Sequence, residues 1–196
     1  MEVLMDAHYA LDVRHARPED VGAIRRIARS SLEASYASAL SHETIGEAVT
    51  IWYGNDRFQY RLSDPDAVFL VATSGSELAG FSESELEADG AVGAINWLHV
   101  DPHHRGHGIG SELLETTERT LMEEGAMRIE GRVLEANEAG NEFYSSHGYT
   151  RTGKRTIEVA GQTVEENRYL AYPGKETTEG LLEPVEKEGE TVYVAL

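Results

Sequence analysis

The feature that most constrains this chain is a change of hydrophobic period at Asp101-Pro102. Before it, Ala67–Thr73, Leu78–Leu86 and Ala94–Val100 read as strands separated by turn residues at 74–77 and 88–90. After it, Ile109, Leu113, Leu114, Thr117 and Leu121 recur at helical spacing, and Gly125 stops the helix before a strand at Met127–Leu134. Turns of a few residues join antiparallel neighbours, whereas a helical crossover returns the chain to a parallel strand. The middle of the chain is therefore expected to be an antiparallel meander that ends in one β-α-β unit. Leu11–Ala16 adds an alternating strand, and Arg17-Pro18-Glu19-Asp20 opens a helix whose stripe is Val21, Ile24, Ile27, Ala28 and Leu32. Residues 36–63 carry Tyr36, Trp52, Tyr53, Phe58 and Tyr60 on helical pieces. Asn137 begins a short helix ending at His147-Gly148, and Tyr149–Val159 and Thr163–Tyr172 are closing strands. The order βα(α)βββαβαββ predicts a mixed α/β (α+β) layer rather than a doubly wound parallel sheet.

At 196 residues the chain suits one domain. Residues 1–10 read as an N-terminal arm, 11–172 as the domain, and 173–196 as an acidic C-terminal extension. The late apolar run of that extension, Thr191–Leu196, suits a solvated appendage or an added strand on an edge or a neighbouring subunit, hence a possible homodimer. There is no cysteine, which excludes a disulfide scaffold, cysteine–zinc sites and thiol nucleophiles. No apolar run approaches the ~18 residues that span a bilayer. Met1–Ala10 lacks an export signal, so neither a membrane nor secretion is expected and the expected location is cytoplasmic. The 35 acidic side chains outnumber 17 basic ones, for a net charge of −18, which argues against nucleic acid as a partner. Such self-repulsion weakens at ~1 M salt, where the Debye length is about 3 Å. The acids run along the whole chain, which fits a halophilic source better than an acidic patch that attracts cations.

Arg105-Gly106-His107-Gly108-Ile109-Gly110-Ser111 lies between the strand ending at Val100 and the helix at 109–124. Glycines there let amides approach a ligand, and a helix N-terminus favours phosphate. Residues 102–111 contain no acid, and Arg105 adds a fixed positive charge. The dinucleotide fingerprint fails, because its third glycine falls on Ser111 or Leu113, and no Gly-Lys-Ser/Thr occurs. His99, His103, His104 and His107 fall within nine residues, but they lack the spacing and carboxylate partner of a zinc site, so no metal is expected.

Arg105, Gly108 and Gly110 fit a Gln/Arg-x-x-Gly-x-Gly/Ala pattern. Val133 and Asn137, followed by Phe143-Tyr144 and Gly148-Tyr149, fit V-x-x-x-N…F-Y-x-x-x-G-[FY]. In this order the two blocks resemble motifs A and B of the GNAT acyltransferase superfamily, with clear resemblance over roughly 65–172. The resemblance implies a mostly antiparallel twisted sheet, splayed between its fourth and fifth strands and flanked by helices, with acetyl-CoA as cosubstrate. It implies that backbone groups of Leu98, His99 and Val100 line the pantetheine arm. It places the diphosphate on the amides of Arg105, Gly106, His107, Gly108, Ile109, Gly110 and Ser111, and puts Asn137, Asn141 and Tyr144 beside the cofactor.

Acetyl transfer to a primary amine needs a neutral nitrogen, an oxyanion donor and a proton for the departing thiolate. The resemblance gives the oxyanion to the Val100 amide. It makes Tyr144 the acid, a role that a phenol protonated at neutral pH can fill, and Asn137 a contact to the cofactor or leaving sulfur. Many members carry Glu on the central strand where this chain has Ala94. Glu83 leads the substitutes, followed by Glu85 and His99, with Asn96 through water, or water alone, also open. The acceptor is a small-molecule amine or a protein N-terminus. A module that binds acetyl-CoA without turnover is the non-enzymatic alternative.

Overall fold

The computed structural model describes residues 11–88 and 90–173, with the backbone of 182–187 and 190–195. The expected arm at 1–10 and the turn residue Asp89 lie outside the described residues. Seven strands form one sheet in the order β1-β2-β3-β4-β5-β7-β6. They are β1 (Leu11–His15), β2 (Ala67–Ser74), β3 (Glu77–Leu86), β4 (Val92–Val100), β5 (Arg128–Leu134), β6 (Thr150–Val159) and β7 (Gln162–Ala171). Every pairing is antiparallel except β4 with β5, as the turn lengths and the single crossover require.

The sheet is covered on both faces, which is why β2 reads as a continuous apolar run. Val68, Leu70 and Ala72 pack with Leu113, Leu114 and Leu121 of the crossover helix α4 (Ile109–Glu123). Phe69 and Val71 point the other way, towards Ile24, Ile27 and Leu32 of α1 (Val21–Tyr36). The undivided stretch 36–63 resolves into the end of α1, then α2 (His42–Tyr53) and α3 (Asn55–Ser63). The Ser41 hydroxyl caps α2 by accepting the Thr44 amide at 3.0 Å. Pro18–Asp20 is a 3-10 turn rather than the first turn of α1. Its Asp20 carboxylate accepts Arg14 Nη1 at 2.8 Å and the Arg17 amide at 2.8 Å. A fifth helix, α5 (Glu138–Ser146), follows β5, capped by Asn137.

The extension forms an antiparallel hairpin, β8 (Leu182–Lys187) with β9 (Glu190–Ala195), and β9 passes beside β6. Its strands pair with each other and form a separate two-stranded sheet.

One break in this sheet makes the site. β4 pairs with β3 as far as Gly80↔Val100, but with β5 only over Val92–Ile95 against Arg128–Gly131. Ser84 faces Ile95 and Glu83 faces Trp97, so Asn96 is an extra residue, a bulge that bends β4 away. β5 instead follows β7 to Leu134↔Glu166. The expected splay is present between the fourth and fifth strands.

Near the closed end of the splay, Glu130 on β5 is buried and accepts Arg132 Nε at 2.7 Å and a bond from Arg168. Burial pushes its pKa up, but the bonds to Arg168 and Arg132 outweigh that and hold it below its ordinary value. A depressed native pKa adds stability that is complete above the unfolded value of about 4.3 and is lost as pH falls through the native one. Glu130→Gln is expected to lower stability at neutral pH and to flatten the loss on acidification. Urea unfolding at a series of pH values reads both effects.

Candidate active site

The splay opens into a cavity of about 440 Å³. β4 beyond its bulge, the end of β5, and the N-terminal ends of α4 and α5 form its walls. The Asp101 amide donates to Ala79 O on β3 at 2.8 Å. Successive strand amides point in opposite directions, so the Val100 and Leu98 backbone groups face the gap that β5 has left. By the same alternation, the His99 backbone faces β3, although the residue is part of the lining. That corrects its expected backbone role. Across the closed end, Arg132 Nη1 donates to Asn96 Oδ1 at 3.3 Å.

The glycine loop leaves a set of amides free at the start of α4. Gly108 caps α4 with φ +80°, a left-handed conformation that favours glycine. The Glu112 amide donates to Gly108 O at 3.0 Å, so the amides of Ile109, Gly110 and Ser111 precede the helix's own ladder. Arg105 sits beside them, its Nη2 donating to Ser31 Oγ at 3.2 Å and Ser35 Oγ at 3.1 Å. Among the described residues no carboxylate pairs with it. Unladdered amides and an uncompensated guanidinium suit a diphosphate. Gly106, Gly108, Ile109, Gly110 and Ser111 line the cavity with Arg105. His107 does not; its Nδ1 lies 3.3 Å from His104 O on the exposed side. His147 Nδ1 donates to Phe143 O at 2.7 Å, so its Nε2 accepts the Ser111 hydroxyl at 2.9 Å and ties α5 to the start of α4.

Tyr144 lines the same cavity and is 4% exposed. Its ring stacks on Tyr169 at 5.7 Å and lies against Gly131 of β5, where a Cβ would come within 2.5 Å of the ring. Burial, with smaller contributions from Tyr36 and Glu118, pushes its phenol pKa up, so the hydroxyl keeps its proton at any physiological pH. Asn137 Oδ1 accepts the Gly140 amide at 3.0 Å, and its Nδ2 donates to Tyr36 Oη at 3.1 Å. Asn141 is outside the lining. Its Nδ2 donates to Asn137 O at 2.7 Å and to Leu134 O at 3.2 Å, and its Oδ1 accepts Asn167 Nδ2 and Tyr169 Oη at 2.8 Å each. Asn141 thus braces the β5–α5 turn against β7 instead of facing the cavity.

The two carboxylates expected as base candidates are not brought to the cavity. Glu83 is 1% exposed and accepts Arg61 Nε of α3 at 2.6 Å. The same guanidinium binds Asp64 at 2.9 Å and Glu85 at 2.9 Å. Neither Glu83 nor Glu85 lines the cavity, and the Arg61 side chain takes both. His99 does line it, with Nδ1 3.1 Å from Ser31 Oγ. Burial and the nearby Arg105 hold its pKa down to about 3. Such an imidazole is neutral and too weakly basic to retain a proton from an ammonium. The carboxylate that does line the cavity, alone among the described residues, is Glu166. No sequence pattern singles it out: it sits in an alternating strand with no motif, and only the pairing of β7 with β5 brings it here. Trp52 reaches the cavity, its ring tilted against that of Trp97 with centroids 4.3 Å apart, whereas Tyr53 and Phe58 are core residues and Tyr60 is exposed. Among the described residues no three His, Asp or Glu side chains gather as metal ligands.

The profile of the acetyltransferase (GNAT) family matches residues 24–149. The chain is 26% identical over 144 residues to the spermidine N(1)-acetyltransferase of Thermoplasma acidophilum, covering 71% of this chain and 88% of that protein. The crystal structure of the PaiA N-acetyltransferase of Thermoplasma acidophilum in complex with coenzyme A superposes with a TM-score of 0.69 at 24% identity, over 80% of this chain and 98% of that one. The Escherichia coli ribosomal-protein-S18-alanine N-acetyltransferase gives 0.60 at 16% identity, over 86% and 97%. With the splay, the anion cradle and the family match together, the chain belongs to the acetyltransferase (GNAT) family, enzymes whose acetyl donor is acetyl-CoA.

Proposed function

We propose that residues 11–172 transfer the acetyl group of acetyl-CoA to a primary amine by direct attack. One observation carries this reading: the Leu98 and Val100 backbone groups, the amides at the start of α4 and the Tyr144 phenol all open onto a single cavity. Amides and Arg105 hold the diphosphate, and the pantetheine arm takes the place of the strand partner that β4 lacks. The Val100 amide meets the developing oxyanion, a contribution of about 3 kcal/mol in comparable sites. As the C–S bond breaks, Tyr144 gives its proton to the thiolate, and Asn137 positions the sulfur beside it. The attacking nitrogen has to be neutral. Apolar walls strip water from an ammonium and lower its pKa. Arg61 occupies Glu83, and His99 is too weak a base, so water carries the proton out. The likeness to a spermidine acetyltransferase supports a small amine as acceptor. A protein N-terminus offers the same nucleophile and stays as the second reading.

Calorimetry at high salt is the direct test. Acetyl-CoA should bind, and Arg105→Gln should weaken binding about tenfold, the size of one charge-assisted contact to phosphate. Absence of any heat with acetyl-CoA or coenzyme A removes the proposal.

A further inference from the structure

The half of the cavity away from α4 has an unusual chemistry. Its walls are the Trp52–Trp97 pair, with Leu32, Leu40 and Ile157, all on the α1–α3 side of the sheet. Into this apolar surround one carboxylate is set. Glu166 on β7 is paired in register with Leu134 of β5 on one side and Arg155 of β6 on the other. It is 9% exposed. Arg155 Nε at 2.7 Å and Nη2 at 2.6 Å both bind Oε2, which leaves Oε1 outside the ion pair. A carboxylate in an apolar surround is costly unless compensated, and Arg155 compensates it from the half-exposed side. What remains for a ligand is the second oxygen of an ion-paired carboxylate beside two indoles, and both an acceptor oxygen and an indole face attract a cation carried on a carbon chain.

We propose that Glu166 selects the acceptor on entry: its Oε1 pairs with the ammonium of an alkylamine or arylalkylamine whose carbon chain lies on Trp52 and Trp97, and the nitrogen attacks only after it has left this pair and lost its proton to water. This deepens the amine-acceptor reading and rests on it. An acceptor with a carboxylate next to its amine, such as a free α-amino acid, would set two anions against each other and is rejected.

Trp52 and Trp97 are the chain's two tryptophans and both line the cavity, so intrinsic fluorescence reports its occupancy. The probes are pentylamine, pentanol and norleucine, which share a carbon chain and differ in charge. They are titrated against the full-length protein at one fixed high salt concentration, with no acetyl donor. The wild type should bind pentylamine at least about tenfold more tightly than pentanol or norleucine. In Glu166→Gln pentylamine should fall to within about twofold of pentanol, with pentanol affinity unchanged. A wild type without the preference, or a variant that keeps it, overturns the proposal. So does a variant that loses pentanol as well, because that makes Glu166 a part of the wall's structure rather than its charge. The titration needs no turnover. A protein that prefers pentylamine yet releases no thiol from acetyl-CoA would therefore sink the enzymatic reading and leave the amine site standing.

Discussion

Tyr144→Phe should lower kcat about a hundredfold, the lower end of what a positioned acid contributes, and leave acetyl-CoA affinity unchanged. The hydroxyl is the only group removed. The ring keeps its stack on Tyr169 and its place over Gly131, so neither the cavity nor the core loses volume. The leaving thiolate then has to take its proton from water. The raised pKa of the phenol means that the acid is fully protonated across the neutral range, so the wild-type rate should show no alkaline limb from Tyr144. Thiol release at saturating acceptor, with calorimetry for the donor, separates chemistry from binding. An unchanged steady-state rate takes Tyr144 out of the mechanism.

The largest effect on stability is expected at Arg61. Its guanidinium is buried between the carboxylates of Glu83, Asp64 and Glu85, and Glu83 has no other bond partner in that network. Burial already pushes the Glu83 pKa up, against the pull of Arg61. Arg61→Met leaves that carboxylate uncompensated and should cost about 3–5 kcal/mol, as breaking a buried pair by removing one partner does. Adding Glu83→Gln removes the stranded charge, and the double variant should recover much of the loss, a coupling that urea unfolding at fixed salt measures directly. The same pair also decides a point of mechanism. Turnover that survives in the stable double variant places Glu83 outside the chemistry, and a stable but inactive one would restore it as the base.

The elements around the site were legible from local pattern. The apolar run Ala67–Thr73, the strand Leu78–Leu86 set off by its turns, the helical stripe from Ile109 to Leu121 and the Asn137 cap are properties of neighbouring residues, and all lie where the sequence put them. The stretch 36–63 was not, because its aromatics divide between core, cavity and surface according to which helix face meets the sheet. Glu83 and Glu85 share a strand face, as alternation predicts. The sequence contains nothing to say that Arg61, more than twenty residues earlier, would fold over that face and hold both.

The order of elements, the single crossover and the glycine loop at the start of a helix are written in the chain's local pattern, since each follows from the periods and conformational limits of adjacent residues. The tertiary structure decided which polar groups face the cavity. The Asn96 bulge opens the gap, backbone alternation turns Leu98 and Val100 into it and His99 away, and the pairing of β5 with β7 carries Glu166 to the opposite wall. These outcomes depend on pairings between segments tens of residues apart, and a side chain's exposure and charge partners come into being only when those segments meet.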